Sequence, residues 1–136
     1  MELNAYLNFN GECAAAFRFY EGLLGGRIAM LQTHGDSPMK EHVPANWHDK
    51  VLHARLELDG QALMGSDVPP DRYSAPRGMY VSLNVPDATQ GKRIFDALAN
   101  GGRVEMPFEK TFWAAGFGTV VDRFGVPWMV NCDQPS

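Results

Sequence analysis

Residues 7–30, LNFNGECAAAFRFYEGLLGGRIAM, and residues 83–106, LNVPDATQGKRIFDALANGGRVEM, are two versions of one pattern. Laid over each other they match at Leu7/Leu83, Asn8/Asn84, Phe19/Phe95, Gly25/Gly101, Gly26/Gly102, Arg27/Arg103 and Met30/Met106, seven identities in 24 positions at an offset of 76. Chance supplies roughly one or two. Ile28/Val104 adds a conservative match. The period is too long for a solenoid, so the chain duplicates a module of about half its length.

Each copy opens on a short strand, residues 3–9 and 79–85, and continues into a helix. Residues 12–24 carry an apolar stripe of Cys13, Ala16, Phe17, Tyr20, Leu23 and Leu24. Residues 88–99 carry Gly91, Ile94, Phe95 and Leu98. Both stripes have helical spacing. Asp87 is placed to cap the second helix, since its carboxylate can accept from the free amides of the first turn. Gly25 and Gly101 stand where a left-handed residue ends a helix. Strands 27–33, 51–58 and 61–66 follow in the first copy, the last two flanking the hairpin signal Asp59-Gly60. Strands 103–109, 116–122 and 126–131 follow in the second, with the turn Asp122-Arg123-Phe124-Gly125. The order is βαβββ twice, an α+β class. A single domain 1–136 is expected, with modules 1–66 and 79–136 joined by a Pro/Gly-rich linker, 67–78.

Alternation assigns strand faces. Leu3, Ala5, Leu7 and Phe9 oppose Asn4, Tyr6 and Asn8. Val81, Leu83 and Val85 oppose Tyr80, Ser82 and Asn84. Leu52, Ala54, Leu56 and Leu58 oppose His53, Arg55 and Glu57. The apolar sides cover the helices. The polar sides of two curved sheets then frame a cleft of mixed lining, and His53, Arg55, Glu57, Tyr80, Ser82 and Asn84 are expected in one cavity. Plain solvent exposure of an outer sheet face is the alternative.

The wider composition narrows the class. Twelve Lys+Arg against sixteen Asp+Glu give a net charge of -4, and the basic residues are scattered, so no nucleic-acid surface is expected. No apolar run approaches the ~20 residues of a spanning helix. Met1-Glu2-Leu3-Asn4 has no basic n-region, and no signal peptide is expected. Two cysteines, Cys13 and Cys132, make neither a disulfide framework nor a zinc cluster alone, which fits a cytoplasmic chain.

Several motifs together resemble the vicinal oxygen chelate superfamily, which includes glyoxalase I, extradiol dioxygenases and bleomycin-resistance proteins. They are Tyr6-Leu7-Asn8-Phe9-Asn10-Gly11, Phe19-Tyr20, Leu24-Gly25-Gly26, Leu52-His53-Ala54 and Leu63-Met64-Gly65-Ser66-Asp67. Phe112-Trp113, Phe117-Gly118 and Asp122-Arg123-Phe124-Gly125-Val126-Pro127-Trp128-Met129 complete the set. The closer resemblance is to the PhnB-like branch, also described as 3-demethylubiquinone 3-methyltransferase-like. The resemblance implies two βαβββ modules forming a glyoxalase/bleomycin-resistance-like fold. It also implies one His or Glu on the first and last strand of each module, converging on a divalent ion. Carried over by register, those positions are Asn4, Met64, Tyr80 and Met129. None is His, Asp or Glu, and a thioether is a poor ligand for Zn, Ni, Mn or Fe. The methyltransferase description lacks a glycine-rich turn after a strand, because Gly25-Gly26 and Gly101-Gly102 end helices. No cofactor and no metal are therefore expected.

The remaining candidates have bland readings beside functional ones. His34, His42, His48 and His53 match no compact ligand spacing, and loop solvation accounts for the first three. His53 and Glu57 on a polar face are the acid/base candidates, against a structural ion pair. Arg55 suits an anionic ligand. Trp113 stands at the cleft rim or in the core, and loop 34–50 with Trp47 is a possible lid over the ligand or a seal on a partner. Cys13 reads as core. The leading expectation is a metal-free small-molecule-binding protein with His53, Arg55, Tyr80, Ser82, Asn84, Trp113 and Met129 as ligand contacts. The alternative is a glyoxalase- or dioxygenase-type lyase or oxidoreductase using another metal set or His53/Glu57 chemistry. Open sheet edges suggest a homodimer, with or without exchanged modules.

Overall fold

Each copy of the repeat builds one four-stranded sheet backed by one helix in the computed structural model, which describes residues 1–135. The first unit, Met1–Ser74, runs β1 (Ala5–Phe9), α1 (Cys13–Leu24), β2 (Arg27–Thr33), β3 (Val51–Leu58) and β4 (Gln61–Asp67). The second, from Ala75 onward, runs β5 (Val81–Asn84), α2 (Ala88–Ala99), β6 (Arg103–Glu109), β7 (Ala114–Val121) and β8 (Pro127–Asp133). The strand orders are β1-β4-β3-β2 and β5-β8-β7-β6. In both, the module's first and last strands pair in parallel and the other pairs are antiparallel.

The helices form as their stripes require. α1 buries Cys13, Ala16, Phe17 and Tyr20, and α2 buries Gly91, Ile94, Phe95 and Leu98. The Asp87 carboxylate accepts from the Gln90 amide at 2.7 Å, satisfying one orphan donor of the first turn. Gly25 closes α1 at φ 79, its N–H donating to the Glu21 carbonyl at 3.1 Å. The hairpin between β3 and β4 has Asp59 and Gly60 both left-handed, at φ 50 and 78, the conformation a two-residue turn demands. Against α1 pack Leu7, Phe9, Ala54 and Leu56, all buried. Phe9 meets Phe17 edge to face at 6.0 Å. Burial of each of the Leu and Phe side chains stabilises the unit by about 1.5–3 kcal/mol.

Two expectations change. Strict alternation along residues 51–58 fails at its start. The pairing of β2 with β3 shifts between Gln32/His53 and Thr33/Val51, a bulge that leaves Leu52 without a partner. Val51 takes the core place at 1% exposure, and Leu52 is half-buried. The strand expected over 61–66 also runs one residue further. Asp67 ends β4, is buried, and accepts from the Cys13 and Val51 amides, both at 2.9 Å.

Candidate functional site

Each sheet turns one face away from its helix, and the strand registers place specific side chains side by side there. On the first, Tyr6 of β1 lies opposite Met64 of β4, Met64 opposite Arg55 of β3, and Arg55 opposite Met30 of β2. His53, next along β3 on the same face, lies opposite Gln32. The Tyr6 hydroxyl sits 3.0 Å from His53 Nδ1, and the two rings stack with centroids 5.6 Å apart. Arg55 donates to Glu57 Oε2 at 3.0 Å and to the Met64 sulfur at 3.7 Å, and Arg27 donates to Glu57 Oε1 at 2.7 Å. The hydrogen bond from Arg55, with help from Arg27, holds the Glu57 carboxyl below its ordinary range. Glu57 is therefore a carboxylate fixed between guanidiniums, poorly suited to take up a proton near neutrality.

The second sheet repeats the layout with different chemistry. Ser82 of β5 lies opposite Met129 of β8, Met129 opposite Thr119 of β7, and Thr119 opposite Met106 of β6. Met64 and Met129 thus occupy corresponding places, as do Met30 and Met106. At one end Asn131 donates to Asn84 and to Asp133, each at 2.9 Å. Phe117, the partner of Asn131, meets Trp113 edge to face at 5.4 Å, and Trp113 meets Phe112 at 4.8 Å. Trp113 is 48% exposed and Phe112 90%, whereas Trp128 is core at 1%. At the other end the Tyr80 hydroxyl donates to Glu105 at 2.9 Å, which raises its pKa above the usual phenol value.

Tyr80 and Asn84 line different hollows. Tyr80 lines one of about 600 Å³ with Arg77, Met79, Arg103, Glu105 and Val121. Asn84 lines another of about 540 Å³ with Asp133 and Gln134. Strand 79–85 carries its alternate side chains far enough apart to serve opposite ends of the sheet. His53, Arg55 and Glu57 stand together on the first sheet, and Tyr80, Ser82 and Asn84 on the second.

Loop 34–50 is held by its own bonds. It contains 3-10 turns at His34–Asp36, Lys40–His42 and Ala45–Trp47. His48 Nε2 donates to the Lys40 carbonyl at 2.9 Å, and the Gly35 amide donates to the His48 carbonyl at 2.8 Å. Trp47 sits with the Lys50 ammonium 6.0 Å from its ring. Cys13 is buried beside Asp67, and burial followed by that charge pushes its thiol far up, away from any nucleophilic role.

Two buried carboxylates escape a sequence reading centred on exposed chemistry. Asp67 ties α1 to β3. Asp122 accepts from the Phe124 and Val126 amides at 2.9 and 3.0 Å and from Trp128 Nε1 at 2.8 Å. The signal for Asp122 is present in Asp122-Arg123-Phe124-Gly125, where an Asp opening a turn is suited to accept the amide two residues on.

The metal positions implied by the resemblance do not suit a metal. The residues opposite Met64 and Met129 are Tyr6 and Ser82, while Asn4 and Tyr80 just precede β1 and β5. Neither choice of first-strand residue supplies a His or carboxylate. Among the described residues no three His, Cys, Asp or Glu side chains come together to hold an ion. A nucleotide-like cofactor fares no better. The α2 N-terminus is capped by Asp87, the α1 N-terminus receives Asp67, and the Lys50 side chain fills the space beside Gly11.

Paired βαβββ units with these strand orders define the glyoxalase/bleomycin-resistance/dioxygenase fold. Glyoxalase-related structures from Fulvimarina pelagi and Burkholderia phytofirmans share it, each at a TM-score of 0.64. Within that fold the chain belongs to the family described as 3-demethylubiquinone-9 3-methyltransferase, whose model matches residues 2–131. It is similar to protein PA1353 from Pseudomonas aeruginosa, with 48% identity, 99% of both chains covered and a TM-score of 0.90. It is 36% identical to Protein YjdN of Escherichia coli K12 over 96% of this chain and 95% of that one. A structure from Bacillus cereus, described as a putative 3-demethylubiquinone-9 3-methyltransferase and PhnB protein, shares the fold. Its TM-score is 0.82 at 22% identity, over 97% of this chain and 99% of that one. No helix among the described residues is long and apolar enough to cross a membrane.

Proposed function

We propose that the chain is a metal-free small-molecule-binding protein of this family, taking its ligand on the outward faces of its sheets. The observation that carries the reading is the pairing of Tyr6 with Met64 and Ser82 with Met129. These places hold a phenol, a hydroxyl and two thioethers, a set that favours contact with flat or aliphatic carbon over coordination of a hard ion. Arg55, His53, Asn84 and Trp113 add polar and aromatic contacts of the kind that orient a ligand. Methyl transfer is no part of the proposal, because no glycine-rich turn that would cradle a methyl donor follows a strand among the described residues.

An acid/base enzyme is the second reading, and the Tyr6–His53 contact favours it, since a phenol and an imidazole at hydrogen-bond distance can pass a proton. A homodimer and residence in a reducing compartment, the cytoplasm, complete the proposal. Exposed Met30, Val104 and Met106 on edge strands β2 and β6 support the first, and two free buried cysteines support the second.

A small-molecule library followed by thermal unfolding tests the binding reading, because a ligand at a hundred times its Kd adds about 2.7 kcal/mol of stability. The proposal expects hits that persist in chelator and weaken in Tyr6→Ala or Trp113→Ala. Hits that vanish with chelator, or none at all, contradict it. Turnover of a hit that His53→Ala abolishes, with binding retained, selects the second reading.

A further inference from the structure

The duplicated arginines Arg27 and Arg103 are equivalent in the repeat, yet they meet different partners. Arg27 lies opposite Glu57 and donates to it at 2.7 Å, and Arg55 completes a two-guanidinium clamp on that carboxylate. Arg103 lies opposite Val121. Among the described residues its carboxylate contact is a long 3.5 Å approach to Glu105, whose other oxygen takes the Tyr80 hydroxyl. Where the first unit has Glu57, the second has Val121, which lines a hollow of about 600 Å³ together with Arg103. Arg77 is a second arginine of that lining, beside apolar Pro76, Met79, Val121 and Pro127.

We propose that this hollow is a site for a small organic carboxylate, whose carboxylate takes the place that Glu57 fills in the first unit. Arg103 stands in for Arg27 and Arg77 for Arg55, and a planar guanidinium fork suits that group. The two arginines outweigh Glu105 by one charge, so an anion is favoured over a cation. The apolar lining takes a compact flat or aliphatic body, with Tyr80 at its edge. The inference deepens the small-molecule reading and rests on it.

Benzoate and its neutral isostere benzamide are the probes, titrated by calorimetry into the full chain at low and high salt. Benzoate is expected to bind at least tenfold tighter than benzamide, and more weakly as salt rises. Arg103→Gln, at an exposed position, is expected to remove that tenfold preference and leave benzamide unchanged. Arg27→Gln is expected to change neither. Val121→Glu installs opposite Arg103 the carboxylate that Arg27 already has, and is expected to abolish benzoate binding. Arg103→Gln remains decisive if Val121→Glu does not fold. Equal binding of the two probes, or a preference that survives Arg103→Gln, overturns the inference. Library hits among neutral compounds with no carboxylate bound overturn it alone, whereas no binding of any compound overturns the small-molecule reading with it.

Discussion

The Trp128 indole N–H donates to the Asp122 carboxylate at 2.8 Å, and both residues are buried. The same carboxylate receives the Phe124 and Val126 amides, so one side chain locks the β7–β8 turn and anchors the largest core side chain of the second unit. Asp122→Ala strands three donors. It is expected to destabilise the protein by roughly 3 kcal/mol or more in urea denaturation. Asp122→Asn, which keeps one acceptor oxygen, is expected to lose less.

Two helix glycines with the same intrinsic cost should respond oppositely to alanine. At Gly22 in α1 nothing lies within 4 Å of an added Cβ, so Gly22→Ala is expected to stabilise by about 0.5–1 kcal/mol. At Gly91 in α2 the same atom would meet the Phe108 ring at 2.7 Å and Val85 at 3.1 Å. Overpacking there costs about 1–3 kcal/mol and outweighs the helix gain, so Gly91→Ala is expected to lower the urea midpoint.

Glu57 has a folded pKa below its ordinary 4.5, first through the Arg55 hydrogen bond and then through Arg27. A depressed carboxyl contributes stability that is present above the unfolded value and lost as pH falls through the folded one. Carbon-detected NMR titration is expected to place the Glu57 midpoint below 4.5, and Arg55→Gln to raise it. A midpoint unmoved by Arg55→Gln contradicts this assignment.

Tyr80 carries the opposite shift, raised above 10 chiefly by its hydrogen bond to Glu105. Its contribution to stability is complete below pH 10 and disappears as pH rises through the folded value. Ultraviolet titration of phenolate is expected to show one late tyrosine that moves earlier in Glu105→Gln.

Much of this architecture is legible in the chain because the repeat is read twice. Asp87, Gly25 and Asp59-Gly60 each announce their element locally, and the stripes Cys13–Tyr20 and Gly91–Leu98 name the helix faces directly. The bulge at Leu52 is not legible, because a slipped register is set by the partner strand and by Asp67, which draws the Val51 amide inward. Asp67 looks like the start of a polar linker, and only the fold brings the amides of Cys13 and Val51 to it. For the site, alternation along strands placed His53, Arg55 and Glu57 on one face. It was silent on Tyr6 stacking on His53, and it did not separate the hollows of Tyr80 and Asn84. Those depend on side-chain reach across strands rather than on period.

The metal content of the chain purified without chelator tests the central claim most directly. With thioethers at Met64 and Met129 and no histidine or carboxylate on their neighbours, elemental analysis is expected to find transition metal far below one ion per chain. Library ligands are expected to bind unchanged after chelation. A stoichiometric divalent ion that is lost in Met64→Ala or Met129→Ala, taking ligand binding with it, would contradict the account.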